Sequence, residues 1–408
     1  MSNLQEVKNT AENSLINKIK EIKNSGVEFR KLGEVCKRQK GINITALQMK
    51  ELNKDNGKIR IFAGGNTIAN VNYEDIPNAS IINIPSIIVK SRGKVDFEYY
   101  DKPFTHKNEL WSYSQNSDKI NLKFIYYYLC NNLDYFIKKS VRGAMPQIAT
   151  PDTDDFEIPI PPLEVQAEIV RILDTFTELI KELIKEHELR KKQYSYYRDK
   201  LLTFGEDTLR VKLGSIAEIK GRIGFRGYTR KDQRPKGEGA ISLSPGNIVN
   251  NNMIYLDNTY ISWEKYEESP EIMINEGDVI FCKTGSTLGK VAIIENLLQK
   301  TTINPQLVVF KNIKCNNRFL KYVIAGKRFQ DNVNKLKGVG TVPNITQEKL
   351  GSIEFPLPPI DTQKRIVDLL DNFERYTNDL QKGLPAEIEK RKKQYAYYRD
   401  ELLKFERK

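Results

Sequence analysis

The stretch that decides the fold is RKKQYSYYRDKLLTF at residues 190–204, because the chain carries it twice. It returns as RKKQYAYYRDELLKF at 391–405, with twelve of fifteen positions identical. Upstream of each copy lies a second repeated block. PPLEVQAEIVRILDTF (161–176) and PPIDTQKRIVDLLDNF (358–373) agree at eight of sixteen positions. The repetition extends further toward the N-terminus. Arg142-Gly143-Ala144-Met145-Pro146-Gln147-Ile148 precedes the first block, and Val339-Gly340-Thr341-Val342-Pro343-Asn344-Ile345 precedes the second at the same offset of 197 residues. FRKLGEVCKRQKG (29–41) resembles RVKLGSIAEIKG (210–221). A period of this kind fixes the architecture before any local reading. The chain is one half-unit used twice, each a variable part followed by a nearly invariant segment.

The invariant segments read as long helices. Each opens on a double proline, Pro161-Pro162 or Pro358-Pro359, which presets a helix start but cannot sit inside a helix. Apolar residues then recur near a 3.5-residue period, the mark of a coiled-coil seam. They are Ile169, Leu173, Phe176, Ile180, Leu183, Tyr194, Tyr197, Leu201 and Phe204 in the first copy. In the second they are Ile366, Leu370, Phe373, Leu380, Ile388, Tyr395, Tyr398, Leu402 and Phe405. A continuous helix of some 45 residues would be about 65 Å long, which suits a spacer. The second copy has four extra residues before Arg391, about one turn, and Gly383-Leu384-Pro385, which is expected to interrupt or kink it.

The variable parts, about 27–155 and 208–352, share almost no sequence in their middles. Short apolar runs such as Ser86-Ile87-Ile88-Val89 and Asp278-Val279-Ile280-Phe281 read as strands. Residues 122–129 (LKFIYYYL) and 317–324 (NRFLKYVI) read as helices, so each part is α+β. The 408 residues carry a net charge of +12, which points to a polyanionic partner, nucleic acid first. Cys36, Cys130, Cys282 and Cys315 form no CxxC, and with His106 and His187 as the only histidines no familiar zinc spacing arises. Buried reduced thiols are the expectation, and no metal or cofactor site is expected. Residues 1–18 show no leader-like apolar region and no run approaches a membrane span, so a cytoplasmic protein is expected. Residues 1–25 read as a basic, partly helical extension.

Two variable domains alternating with helices that begin PPLxxQxxIVxxLDxF and end RKKQYxYYRDxLLxF resemble the specificity (S) subunits of type I restriction-modification systems. GLPAEIEKRKKQYAYYRDELL (383–403) and GVEFRKLGEVC (26–36) carry the same resemblance. It implies an N-terminal extension (1–26), a first target recognition domain (27–155), a central spacer helix (156–207), a second target recognition domain (208–352) and a C-terminal spacer helix (353–408). It also implies that each domain reads one half of a bipartite, gapped sequence in double-stranded DNA. The two helices would pack as an antiparallel coiled coil, set the gap and dock two modification (methyltransferase) subunits, with restriction subunits joining to form the nuclease.

Glycine-rich loops with neighbouring cations are the candidate DNA contacts, because glycine admits close approach and Lys or Arg supplies charge. In the first domain these are Gly64, Gly65, Asn66, Arg92, Gly93, Lys94, Arg142 and Gly143, with Gln147 for base edges. In the second they are Lys220, Arg222, Arg226, Lys283, Thr284, Ser286, Lys290 and Lys337, with Asn247, Asn304 and Gln306 for base edges. Tyr194, Tyr197, Tyr395 and Tyr398 are the candidate partner contacts. No methyltransferase motif is found: Asn83-Ile84-Pro85-Ser86 and Thr150-Pro151-Asp152 do not match (N/D)PP(Y/F). Residues 285–290 (GSTLGK) have the wrong spacing for a phosphate-binding loop, and the histidines stand 81 residues apart. The chain reads as non-catalytic. The competing reading is a coiled-coil scaffold whose domains bind protein instead of DNA.

Overall fold

The computed structural model describes residues 26–140, 146–222, 228–338, 340–378 and 383–408. The extension expected over residues 1–25 lies outside them. The chain forms two compact units, one from Met1–Glu182 with Glu389–Lys408, the other from Leu183–Ile388.

In the first unit the apolar run at 86–89 becomes the strand Ser86–Lys90, buried along its length. It lies inside a four-stranded antiparallel sheet ordered Cys36–Lys40, Trp111–Gln115, Ser86–Lys90, Asp96–Tyr100. A second sheet is ordered Ile68–Val71, Ile59–Phe62, Phe104–His106, its first pair antiparallel and its second parallel. The strand Glu28–Lys31 pairs antiparallel with Glu157–Ile160. The main core lies between the first sheet, the helix Leu122–Asn131 and the start of the central helix.

The second unit repeats this plan with different residues. Its four-stranded antiparallel sheet is ordered Glu218–Gly221, Leu307–Lys311, Val279–Cys282, Val291–Ile293. Its other sheet contains Thr259–Ile261, Ala240–Leu243 and Thr301–Ile303, again antiparallel then parallel. Arg210–Lys212 pairs with Glu354–Pro356. Both units are α+β. Their middles share almost no sequence, yet strand order and strand sense agree.

The repeated blocks tie each domain to its helix. Gln166 Nε2 donates to the carbonyl of Pro161 (2.8 Å) and its Oε1 accepts the Asn121 N–H (2.7 Å). Gln363 does the same with Pro358 (2.8 Å) and Asn316 (2.9 Å). Asn121 and Asn316 in turn cap the helices Leu122–Asn131 and Asn317–Ala325, satisfying N–H groups that a helix start leaves open. Further along the helix, Asp174 accepts the Tyr127 hydroxyl (2.5 Å) and the Lys123 ammonium (2.7 Å). Asp371 accepts the Tyr322 hydroxyl (2.5 Å) and the Arg318 guanidinium (2.8 Å).

The central helix runs Leu163–Leu201. The second long segment is two helices, Ile360–Asn378 and Leu384–Leu402. Pro385 sits in the first turn of the latter, where its missing N–H costs nothing. Within the second unit His187 Nε2 meets the carbonyl of Thr377 (2.8 Å), Arg190 lies over the Tyr376 ring, and Tyr197 stacks on Phe373 at 5.8 Å. Residue numbers rise on one helix and fall on the other, so the pair is antiparallel. In the first unit Phe176 stacks on Tyr398 at 5.3 Å and Thr177 lies beside Tyr395, again antiparallel. Each repeated Phe therefore stacks on the repeated Tyr of the other copy. The first unit is completed by the chain's end: Val27 N–H donates to the Glu406 carbonyl (2.9 Å), and Arg407 pairs with Glu157. Its parts match those of the second unit in permuted chain order.

The two joints differ in charge at one buried place. Lys321 and Glu374 form a buried ion pair (2.5 Å), and Glu374 also accepts the Tyr322 hydroxyl (2.7 Å). The equivalent positions in the first unit are Tyr126 and Thr177, which carry no charge. Breaking a buried pair from one side leaves a lone desolvated charge. Lys321→Met is thus expected to destabilise the second unit by about 3–5 kcal/mol. The double change Lys321→Tyr with Glu374→Thr, which copies the first unit, should recover most of that stability. Urea unfolding with amide exchange read at residues 317–325 checks it; equal stabilities for the single and double variants would contradict it.

Candidate nucleic-acid interface

The loop candidates of the first unit come together. Residues 64–66 form a tight turn in which the Ala63 N–H donates to the Thr67 carbonyl (3.0 Å) and Gly65 has φ +67°. A Cβ on Gly64 would meet only the Arg92 carbonyl, at 3.8 Å, and one on Gly65 or Gly93 would meet nothing within 4 Å. The loop of Arg92, Gly93 and Lys94 is joined to Gln147 by an isolated antiparallel bridge. Gly93 N–H donates to the Pro146 carbonyl (2.9 Å), and Ile148 N–H to the Ser91 carbonyl (3.0 Å). Arg92, Lys94 and Gln147 are exposed. Arg142 and Gly143 lie outside the described residues.

The second unit builds the same device. Thr284 faces Asn344 across an isolated antiparallel bridge. Gly285 N–H donates to the Pro343 carbonyl (2.9 Å) and Ile345 N–H to the Lys283 carbonyl (2.9 Å). Gln306 approaches Gly285, whose φ is +92°. Gly338 N–H donates to the Asn344 carbonyl (2.8 Å), which brings in exposed Lys337. Ser286 and Gln306 are exposed, whereas Asn304 is buried and held against Gln306. Lys283 is half-buried, and burial pulls its amine below the usual lysine range. Among the described residues no carboxylate pairs with it. Sequence reasoning misses Asn344, although it stands 197 positions after Gln147 in the same repeated block.

Three expected contacts serve the fold instead. Arg222 is 4% exposed; it donates to the Ile303 carbonyl and to Thr302 Oγ1, and its guanidinium lies over the Tyr228 ring. Asn247 is 4% exposed and closes its own turn, donating to the Ile254 carbonyl and Asn258 Oδ1 (both 3.0 Å). Lys290 Nζ donates to the carbonyls of Pro245 (3.3 Å) and Ile248 (2.9 Å). Buried polar groups need such internal partners, so their donors are not presented outward. Lys220 pairs with Glu218 at the sheet edge (3.1 Å), and Arg226 lies outside the described residues.

The helical tyrosines sort by face. Tyr194, expected to meet a partner subunit, is 7% exposed, and burial pushes its phenol up. It packs in the core of its own unit. Tyr395 is the matching residue of the first unit, packed beside Tyr126 and Tyr127. Tyr197 and Tyr398 stack on Phe373 and Phe176 within the chain. Tyr196 and Tyr397 are the most exposed of the block, 61% and 64%, while Tyr197 and Tyr398 keep 38% and 41% exposure on the far side of their stacked rings. Residues three apart share a helix face and those two apart do not, which sets Tyr194 and Tyr197 against Tyr196.

Cys36 and Cys282 are buried, Cys130 and Cys315 half-buried, and all four are free. Burial pushes the Cys36 thiol up to about 12. Among the described residues no group of three or more His, Cys, Asp or Glu side chains is placed to hold a metal ion, and no helix is long and apolar enough to cross a membrane.

Comparison with known proteins agrees with this arrangement. The type I restriction modification DNA specificity domain matches twice, over residues 24–190 and 206–390. The chain is 34% identical over 323 residues to the EcoR124I/EcoR124II specificity subunit of Escherichia coli, covering 76% of this chain and 77% of that one. It is 29% identical over 311 residues to a putative type I specificity subunit of Haemophilus influenzae, covering 71% and 73%. The fold is shared with a chain from a solved type I restriction-modification system (TM-score 0.61, 14% identity, covering 93% and 98%). It is shared also with the S subunit of M. genitalium (TM-score 0.53, 18% identity, 92% and 95%). This chain belongs to the type I restriction-modification DNA specificity family.

The inward and outward tyrosines are expected to behave differently on truncation. Tyr194→Ala should cost about 3–5 kcal/mol, the range for removing a buried aromatic ring. Tyr196→Ala should leave stability within about 0.5 kcal/mol. Parallel urea titrations of the two variants test the assignment.

Proposed function

We propose that this chain is the DNA sequence-specificity subunit of a type I restriction-modification complex, with each recognition domain reading one half of a bipartite, gapped site in double-stranded DNA. The observation that carries this is the pairing of one frame with two chemistries. Sheet order, helix anchors and the bridged loop agree between the units, while the residues on the loop tips differ. A protein that reads two different half-sites through one docking geometry needs that combination. The net charge of +12 supplies phosphate attraction.

In this reading the exposed basic and polar loops contact the duplex: residues 64–66, Arg92, Lys94 and Gln147 in one domain; Lys283, Thr284, Ser286, Gln306 and Lys337 in the other. The antiparallel helices set the gap between half-sites. They also dock two modification subunits through the tyrosines that keep exposed surface, Tyr196 and Tyr397 foremost with Tyr197 and Tyr398 beside them. Restriction subunits join the same complex. The chain itself is a recognition subunit and catalyses nothing.

Charge reversal separates this reading from a protein-binding scaffold. Arg92→Glu with Lys94→Glu is expected to weaken duplex binding by roughly tenfold or more at about 0.1 M salt. It should also reduce the salt slope by about 0.9 for each phosphate that is no longer neutralised. Fluorescence anisotropy across a salt series measures both, and unchanged binding would favour the scaffold.

The helix supplies a second test. Inserting one four-residue turn between Phe176 and Arg190 should lengthen the gap in the methylated motif while leaving both half-sites intact. Mapping methylated bases in DNA modified by the reconstituted complex reads this out; an unchanged gap would remove the spacing role.

A further inference from the structure

We propose that the residues facing each other across the isolated bridge of each domain are its base-reading positions: Arg92 with Gln147 in one domain, Thr284 with Asn344 in the other. This rests on the DNA-reading function proposed above and says which side chains carry the specificity. Arg92 takes a guanine, and the amides of Gln147 and Asn344 take adenines.

The argument starts from the main chain. Residues 91 and 148, and likewise 93 and 146, are joined by backbone hydrogen bonds, as are 283 with 345 and 285 with 343. Residues 92 and 147 therefore form the non-hydrogen-bonded pair between two bonded ones, and so do 284 and 344. In an antiparallel ladder the side chains of such a pair stand on the same face at the closest cross-strand separation. Each bridge thus presents two adjacent side chains in one direction, held by main-chain bonds to which the second unit adds the Thr284 hydroxyl.

Little competes for these side chains. Arg92, Gln147 and Asn344 are exposed. Among the described residues none of the three makes a side-chain hydrogen bond or ion pair, in contrast with Arg222, Asn247 and Lys290. Thr284 donates its hydroxyl to the Pro343 carbonyl (3.2 Å), which leaves Asn344 as the stronger reader of its pair. The flanking glycines turn through positive φ, +84° at Gly93 and +92° at Gly285, a conformation glycine takes without strain. Neither meets main chain within 4 Å at the position of a Cβ, so no backbone crowds the turn beside the pair. Lys283, half-buried beside the second pair and without a carboxylate partner among the described residues, gains a partner when an anion arrives.

The chemistry then follows from geometry. A guanidinium matches guanine O6 and N7, and a carboxamide matches adenine N6 and N7. Arg–Gln in one domain and Thr–Asn in the other give two different half-sites from one frame. Because the bridge is built from backbone, the side chains can change without disturbing the fold.

The test uses the full chain assembled with its modification subunit, and reads the methylated motif across a genome. Arg92→Ala and Gln147→Ala are expected to relax one base position each in one half-site, and Asn344→Ala one position in the other half only. Preference for the native base should fall roughly 5- to 100-fold. Asn344→Asp should move that position from adenine toward cytosine, since a carboxylate accepts from cytosine N4. Unfolding curves should match those of the parent chain for every variant. An unchanged motif in the Ala variants, a change in both halves from one substitution, or a uniform fall in methylation without altered preference would overturn the proposal. If the unaltered complex places methyl groups at no bipartite motif, the specificity-subunit reading itself fails, which is a separate result.

Discussion

In each unit one repeated carboxylate holds the recognition domain to its helix. Asp174 receives a tyrosine hydroxyl and a lysine ammonium from the helix Leu122–Asn131, and Asp371 a tyrosine hydroxyl and an arginine guanidinium from Asn317–Ala325. Charge-assisted hydrogen bonds are shorter and stronger than neutral ones, and two on one carboxylate fix an orientation as well as a distance. The glutamine two turns earlier adds a second fixed point by bridging the proline start and the capped domain helix. Two points of attachment stop the domain from pivoting on its helix. The bridged loop then projects from a base fixed at two points, which suits the base-reading role proposed for it, because hydrogen bonds to base edges tolerate little displacement.

Much of this frame is legible in the sequence, and the reason is physical. Helix residues that pack or bridge are constrained at every turn, so the repeat preserves Gln166 and Gln363, Asp174 and Asp371, and Phe176 and Phe373. The strand runs at 86–89 and 278–281 are readable because both faces are buried and the apolar residues run together. The candidate contacts are less readable. A cation beside glycine looks the same in sequence whether it faces solvent or anchors a neighbouring loop. Arg222 and Lys290 hold carbonyls of their own unit. The tyrosine block shows a related limit: spacing separates Tyr194 and Tyr197 from Tyr196, but an amphipathic ring does not announce which face is inside. Asn344 escapes a reading by residue type, because no cation stands directly beside it in the second copy of the block; only its register with Gln147 marks it.

The two joints solve one packing problem in two ways. Where the second unit buries Lys321 against Glu374, the first has Tyr126 and Thr177. The ionic version leaves Glu374 Oε1 without a partner among the described residues and sets a buried charge beside the Tyr194 ring. A neutral joint avoids desolvating two charges. What the ionic joint adds is dependence: replacing either residue alone leaves the other as a lone buried charge. The repeated halves are therefore alike in plan but not exchangeable residue by residue at this point, although the Tyr194 and Tyr395 segments that complete them are nearly identical.

That division between a constrained frame and a free tip explains how the variable parts can shed their sequence likeness and keep their fold. The strand orders of the two units agree because sheets are specified by burial pattern and main-chain pairing, which many residues satisfy. The bridge at the loop tip extends the same logic to the reading surface. Its hydrogen bonds belong to the backbone of residues 91, 93, 146 and 148, or 283, 285, 343 and 345, and its glycines answer a conformational demand. Arg92, Gln147 and Asn344 answer none, and so they are positions at which a change of residue costs the fold little.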